Sequence, residues 1–163
     1  DAAEGDVLKP DKMKVMVKAS FMGQALEVGF ISLAADSYMT NPLSGQWEAT
    51  PGGINPIGFF DPNSGAVNVL DNMKNAEKLG NETVDGVTSY HLRGMVPTSA
   101  LKSIAGDDVA EGDVNAEVWI GVDDLLPRQF RLEGLVMKGE KPNIVRVLQF
   151  SRFDQSMTIE APK

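Results

Sequence analysis

The chain has 163 residues, a formal net charge of −8 and no cysteine. This length fits one domain with a core that needs no disulfide or metal staple. The acidity argues against a nucleic-acid partner, and the lack of Cys excludes thiol catalysis and Cys-type zinc sites.

Hydrophobic residues make up 42% and charged residues 23%, an ordinary globular composition. No apolar run approaches the ~20 residues of a membrane-spanning helix. The chain opens on Asp1-Ala2-Ala3-Glu4-Gly5-Asp6 without Met or a signal peptide, which reads as a processed or trimmed start.

Period-two alternation dominates from the beginning, the mark of strands with one buried face. Over Lys12–Ala19, Met13, Val15, Val17 and Ala19 share one face, with Lys12, Lys14 and Lys18 on the other. After a turn at Met22-Gly23, Leu26, Val28 and Phe30 lie opposite Ala25 and Glu27. Ala34-Ala35-Asp36 turns the chain into Ser37–Thr40, and Asn41–Gly45 turns it into Gln46-Trp47-Glu48. Connections this short give antiparallel hairpins.

From Thr50 to Phe60 the alternation breaks. Pro51, Gly52, Gly53, Pro56 and Gly58 forbid a regular strand, yet Ile54, Ile57, Phe59 and Phe60 are apolar and must lie against something. Asp61-Pro62-Asn63-Ser64 supplies cap-type residues for a helix from Ser64 to Met73, with Val67, Leu70 and Met73 at helical spacing.

Asp85-Gly86 predicts a tight hairpin between strands around Glu77–Val84 and Val87–Met95. Pro97-Thr98-Ser99 starts a second short helix with Leu101 and Ile104 as its apolar pair and Gly106 as its stop. Asp107–Asp113 is an acidic loop. Val114, Ala116, Val118, Ile120 and Val122 form an apolar face that Phe130 and Leu132 continue after the Leu125-Leu126-Pro127 turn. Ile144, Leu148 and Phe150 share a face in the next strand, and Met157–Glu160 reads as a terminal strand. There is no repeat or linker, so one domain over 1–163 is expected.

Chemically distinctive residues are few. His91, the one histidine, shares a face with Ser89 and Arg93 and is expected to be exposed, with no carboxylate at a spacing suited to general-base catalysis. Asp107 and Asp108 with Glu111, Asp113 and Glu117 depart from the calcium-loop spacing, and the acidic stretch reads as a solvated loop. Asn81-Glu82-Thr83 matches a glycosylation sequon, a pattern that arises often by chance. Lys9, Lys12, Lys14 and Lys18 make a local basic patch, read either as a solvated strand face or as a site for anionic head groups. No cofactor or metal is implied.

The sheet carries the stronger signal. Its strands are long, and only two short helices are available to cover its inner face. A curved, partly covered sheet leaves a cavity or a large apolar patch, and the eight Met residues suit an adaptable wall.

Several segments keep a recognisable order: Gly5-Asp6-Val7 with Pro10–Val15, Asp36–Pro42 running into Gly45-Gln46-Trp47, and Phe60–Gly65 leading to Val69-Leu70. Asp85-Gly86, Ala116–Ile120, Leu126-Pro127-Arg128 and Glu160-Ala161-Pro162 follow. The ordered set resembles the LppX/LprAFG family of envelope lipoproteins over nearly the whole chain. The resemblance implies an α+β, mainly antiparallel β fold: a half-open curved barrel with short helices on its concave face, as in the LolA/LolB-like lipoprotein carriers. It also implies export, anchoring to the cell membrane or envelope through a lipidated N-terminal Cys, and an apolar cavity for acyl chains of a lipid or glycolipid. An envelope transporter is a further partner that the resemblance implies. Family members carry the lipobox Cys, a linker, a helix and a first strand ahead of the region of Gly5-Asp6-Val7, so a sheet edge without its partner is expected here.

On this reading Leu26, Val28, Phe30, Val118, Ile120, Phe130, Leu132, Leu148 and Phe150 line the cavity wall. Val67, Leu70, Met73, Leu101 and Ile104 form its roof, and Ile54, Ile57, Phe59 and Phe60 its mouth, with Gly52, Gly53 and Gly58 as hinges. The expected function is non-catalytic lipid carriage or presentation. The alternative is an envelope protein-binding module using the concave face or the free edge strand. An enzyme centred on His91 is the third reading.

Overall fold

The computed structural model describes residues 2–9, 11–21, 24–34, 36–50, 66–141 and 143–162. It divides into two compact units, one of Asp1–Ile57 with Ser156–Lys163 and one of Gly58–Gln155. Each is built on a five-stranded antiparallel meander, so the fold class is α+β and mainly antiparallel β.

The first unit runs β1 (Ala2–Leu8), β2 (Lys12–Phe21), β3 (Gln24–Leu33), β4 (Asp36–Thr40) and β5 (Trp47–Ala49), paired in that order. Val15 lies opposite Phe30 and Phe30 opposite Met39; Val17 lies opposite Val28. One face is therefore apolar, as the alternation predicts. The other carries Lys14 opposite Asp6 and Lys18 opposite Glu27. Cross-strand pairs of opposite charge contribute about 0.2–1 kcal/mol each, so acids across the ladder partly answer the basic patch.

On that second face Met16 is opposite Gly29 and Trp47 opposite Thr40, whose Oγ1 accepts the Gly29 N–H at 2.7 Å. A methyl group on Gly29 would sit 2.6 Å from Trp47 Cη2 and 3.1 Å from Met16 Sδ. Only glycine lets the indole edge lie this close to the strand. The turn before β5 is held by Asn41, whose Oδ1 accepts the N–H groups of Leu43 and Ser44 at 2.9 and 3.2 Å.

Met157–Glu160 is not a strand; it has no ladder partner among the described residues. Its alternation has another cause. Ile159 is buried while Thr158 and Glu160 are exposed, a pattern that a single extended segment also produces by lying on a face.

The second unit runs α1 (Ala66–Asp71), β6 (Lys74–Val84), β7 (Val87–Pro97), a 3-10 turn over Thr98–Leu101, α2 (Lys102–Ala105), β8 (Asp113–Gly121), β9 (Pro127–Glu133) and β10 (Val145–Gln149). The sheet order is β10-β9-β8-β7-β6. Asp85 and Gly86 both have positive φ, 49° and 80°, the pair that a type I′ hairpin turn needs. The helix expected from Ser64 spans Ala66–Asp71, and its cap residues lie outside the described residues. The second expected helix is a 3-10 turn passing into one α turn and ending at Gly106. The Thr98 hydroxyl donates to the carbonyls of Ala110 and Gly112, which ties the acidic loop back onto this helix.

The register places Leu92, Val118, Phe130 and Leu148 in one row and Gly94, Ala116, Leu132 and Arg146 in the next. Ala116, Val118, Phe130 and Leu132 join Val69, Val96, Leu101 and Val114 in the core of this unit, with Leu148 packed against it. Phe150 meets Phe130 edge-on at 5.9 Å, a favourable aromatic geometry.

Candidate functional site

Two apolar faces, one in each unit, hold the residues read from the sequence as a cavity wall. In the first unit Leu26, Val28 and Phe30 share a face with Val15, Val17 and Met39, and all six are half-buried. This is an apolar surface of aliphatic, aromatic and thioether groups that is neither fully packed nor fully wet.

The second unit differs. Val118, Phe130, Leu132 and Leu101 are packed in its core, with Ile120, Leu148, Phe150, Leu70 and Met73 half-buried around them. The sequence reading thus brings nine of its residues into one cluster. Val67 is 48% exposed, on the outer side of α1. Ile54, Ile57, Phe59, Phe60 and the three hinge glycines lie outside the described residues, as does the side chain of Ile104.

Arg146 interrupts the apolar face of the second unit. It sits opposite Leu132 and two residues from Leu148, so its side chain leaves the strand on the apolar side. Its Nη2 donates to Glu140 Oε1, and Glu140 Oε2 accepts the Met137 N–H at 3.0 Å. Its Nη1 is buried without a hydrogen-bond partner among the described residues. The sequence reading passed over Arg146; the signal was a cation in the parity row of Ile144, Leu148 and Phe150.

The opposite face of this sheet carries a polar network. His91 is not exposed as its parity suggested but only 6% accessible. Its ring stacks on Trp119 at 4.2 Å and 16°. Nδ1 lies 3.1 Å from Glu82 and Nε2 2.8 Å from Glu117. Trp119 Nε1 donates to the second oxygen of Glu82 at 2.8 Å, and Arg131 bridges Glu117 and Glu133. Parity gave the correct face; the burial comes from Trp119 directly across the ladder, a long-range register that local spacing does not reveal.

The Trp119 and His91 hydrogen bonds hold the Glu82 carboxyl below its ordinary range. The Glu133 carboxylate beside Arg131 raises the guanidinium further. Ser89, beside His91 in the strand, is buried, and its hydroxyl donates to Val87 O at 3.1 Å. The arrangement is an ion-paired cluster on a strand face. Among the described residues, no group of three or more acidic or imidazole side chains is placed to hold a metal ion.

A third feature is an open pocket of about 460 Å³ in the first unit, lined by Lys14, Ile31, Trp47 and residues 158–162. It lies on the face opposite Val28 and Phe30, because Ile31 and Lys14 alternate with Phe30 and Val15 along their strands.

The sequence model of the LppX_LprAFG lipoprotein family matches residues 1–163. A lipoarabinomannan carrier protein, LprG, from Mycobacteroides abscessus is 36% identical over 65 residues, 40% of this chain and 29% of that protein. The chain thus aligns with less than a third of that relative's length. Among solved structures, LprF from Mycobacterium bovis superposes with a TM-score of 0.71 at 14% identity, covering 98% of this chain and 79% of that one. The lipoprotein LppX from Mycobacterium tuberculosis gives a TM-score of 0.59 at 15% identity, covering 91% and 73%. At these identities the superpositions establish the fold alone.

Proposed function

The chain belongs to the LppX_LprAFG lipoprotein family, and from that premise we propose that it is a non-catalytic carrier that shields the acyl chains of a lipid or glycolipid on its apolar sheet faces. The observation that carries this reading is the half-buried row of Val15, Val17, Leu26, Val28, Phe30 and Met39. A face meant only as protein core is packed to near-zero exposure, as Val118 and Phe130 are. A face that takes up alkyl chains keeps surface in reserve. Each CH2 moved there from water gains about 0.8 kcal/mol, close to what a bilayer gives, so loading and release are nearly balanced.

In this reading Ile120, Leu148, Phe150, Leu70 and Met73, at the half-buried margin of the second unit's core, also contact ligand. Val118, Phe130, Leu132 and Leu101 are the floor behind them. The roles of Val67, Ile104 and the Ile54–Phe60 loop as roof and mouth belong to the same proposal, as does a single lipid-binding domain over 1–163. The name of the LprG relative supports a glycolipid as cargo. The family supports an exported, envelope-associated protein, lipid-anchored in its full-length form, that passes cargo to or from a transporter.

The exposed Val145 and Val147 on β10 favour a second reading, a protein-docking edge. Native mass spectrometry of the purified chain, followed by lipid extraction, separates the two. A near-stoichiometric co-purified lipid supports the carrier. An apo mass with no uptake from vesicles would favour the docking edge. Val28→Trp, on the reserve face, should cut uptake while the chain still folds. Unchanged uptake in a folded Val28→Trp chain would remove that face from the site.

A further inference from the structure

A guanidinium on an apolar face with one nitrogen unpaired is a costly arrangement that calls for a physical explanation. Arg146 is such a group. Its neighbours in the register row are Leu132 and Ala116, both in the packed core, and its Nη1 has no acceptor. Glu140, whose oxygens take Nη2 and the Met137 amide, makes no bond to Nη1. The Arg146 side chain is 29% exposed although Nη1 itself is buried, so the head group would reach it by a small shift of the side chain; the residue stands on β10, the last strand of its sheet, at the margin of the apolar cluster.

We propose that Arg146 Nη1 donates a hydrogen bond to the ester carbonyl of the bound lipid and thereby fixes where the acyl chain meets its head group. The inference rests on the carrier reading and deepens it. Three observations select a carbonyl. Glu140 already neutralises the guanidinium, so the pair offers no surplus charge to attract an anion. Nη1 can only donate, so its partner must accept, and a carbonyl, unlike a hydroxyl, brings no proton of its own to be satisfied. The position at the edge of an apolar face also matches the place in an acyl lipid where the hydrocarbon gives way to oxygen.

The test compares a diacylglycerol with its dialkyl-ether analogue, which keeps the chains and the free hydroxyl but lacks the carbonyls. Each is titrated from vesicles into the wild-type chain and into Arg146→Lys, which retains the charge facing Glu140 but not the fork. The wild type should bind the ester about ten-fold more tightly than the ether, the scale of one hydrogen bond from a charged donor. Arg146→Lys should lose that preference while its affinity for the ether is unchanged.

Infrared spectroscopy gives a second readout on the same complexes: the bound ester C=O stretch should be lower in the wild type than in the variant. Equal affinity of the wild type for ester and ether, with no shift in the stretch, would overturn the role of Arg146 and leave the carrier reading standing. Failure of the wild type to bind either lipid would overturn both. A preference for phosphatidic acid over diacylglycerol that Arg146→Lys abolishes would replace the carbonyl with a phosphate.

Discussion

The His91 ring lies parallel to the Trp119 indole at 4.2 Å, clamped edgewise between the carboxylates of Glu82 and Glu117. All four residues come from three adjacent strands, β6, β7 and β8, so the cluster ties the sheet together across its width. It does so on the face opposite the apolar core. His91→Ala should therefore lower stability by about 2 kcal/mol, the combined scale of a lost ring stack and the lost hydrogen bonds to two carboxylates. Thermal unfolding checks this. Lipid uptake by the folded variant should stay at the wild-type level; a substrate-dependent rate abolished by the same change would instead revive a catalytic role.

The same cluster predicts an acid-side effect. Because the Glu82 carboxyl is held below its ordinary range by the Trp119 N–H and then by His91, its contribution is fully present above the ordinary carboxylate range. It disappears as pH falls through the lowered value and the folded state takes up the proton. The stability difference between wild type and Glu82→Gln should thus be constant near neutral pH and shrink below about pH 4. Urea unfolding at a series of pH values measures it. A difference that grows on acidification would reverse the assignment.

Gly29 supports the Trp47 indole. Gly29→Ala would put a methyl group 2.6 Å from Cη2, forcing the ring outward at a cost of about 1–3 kcal/mol. Tryptophan fluorescence should shift to the red as Trp47 meets more water, in parallel with the loss in urea midpoint.

Leu101 is 1% exposed in the core of the second unit. Leu101→Ala should cost about 2–5 kcal/mol, whereas Val67→Ala, on the exposed side of α1, should cost under about 0.5. A comparable loss at both positions would show that Val67 is covered by something in solution.

Much of this architecture is legible in the chain. The alternation of Met13, Val15 and Val17 against Lys12, Lys14 and Lys18, and the Asp85-Gly86 turn, encode strand faces and a hairpin locally, and both are found. What local pattern does not carry is which residue faces which across the ladder. His91 therefore reads as exposed from its spacing, because nothing within ten residues names Trp119 as its neighbour. Met157–Glu160 was read as a strand because alternate burial and ladder pairing leave the same imprint on a sequence. Arg146 is visible as a cation in an apolar row, but its unpaired Nη1 depends on how Glu140 meets the other nitrogen, which only the folded loop determines.

The first unit is assembled from the two ends of the chain, while the second is one uninterrupted stretch. This separates the two in time. Every residue of the second unit has been synthesised when Gln155 leaves the ribosome. At that moment Ile31 and Trp47 still lack Ile159, with which they line one pocket. The β1 to β5 ladder is complete in sequence by then, but the part of the pocket wall that residues 158–162 supply comes only after Gln155. The order of synthesis is thus written into the connectivity: the second unit is complete before the segment that finishes the first unit's pocket is made.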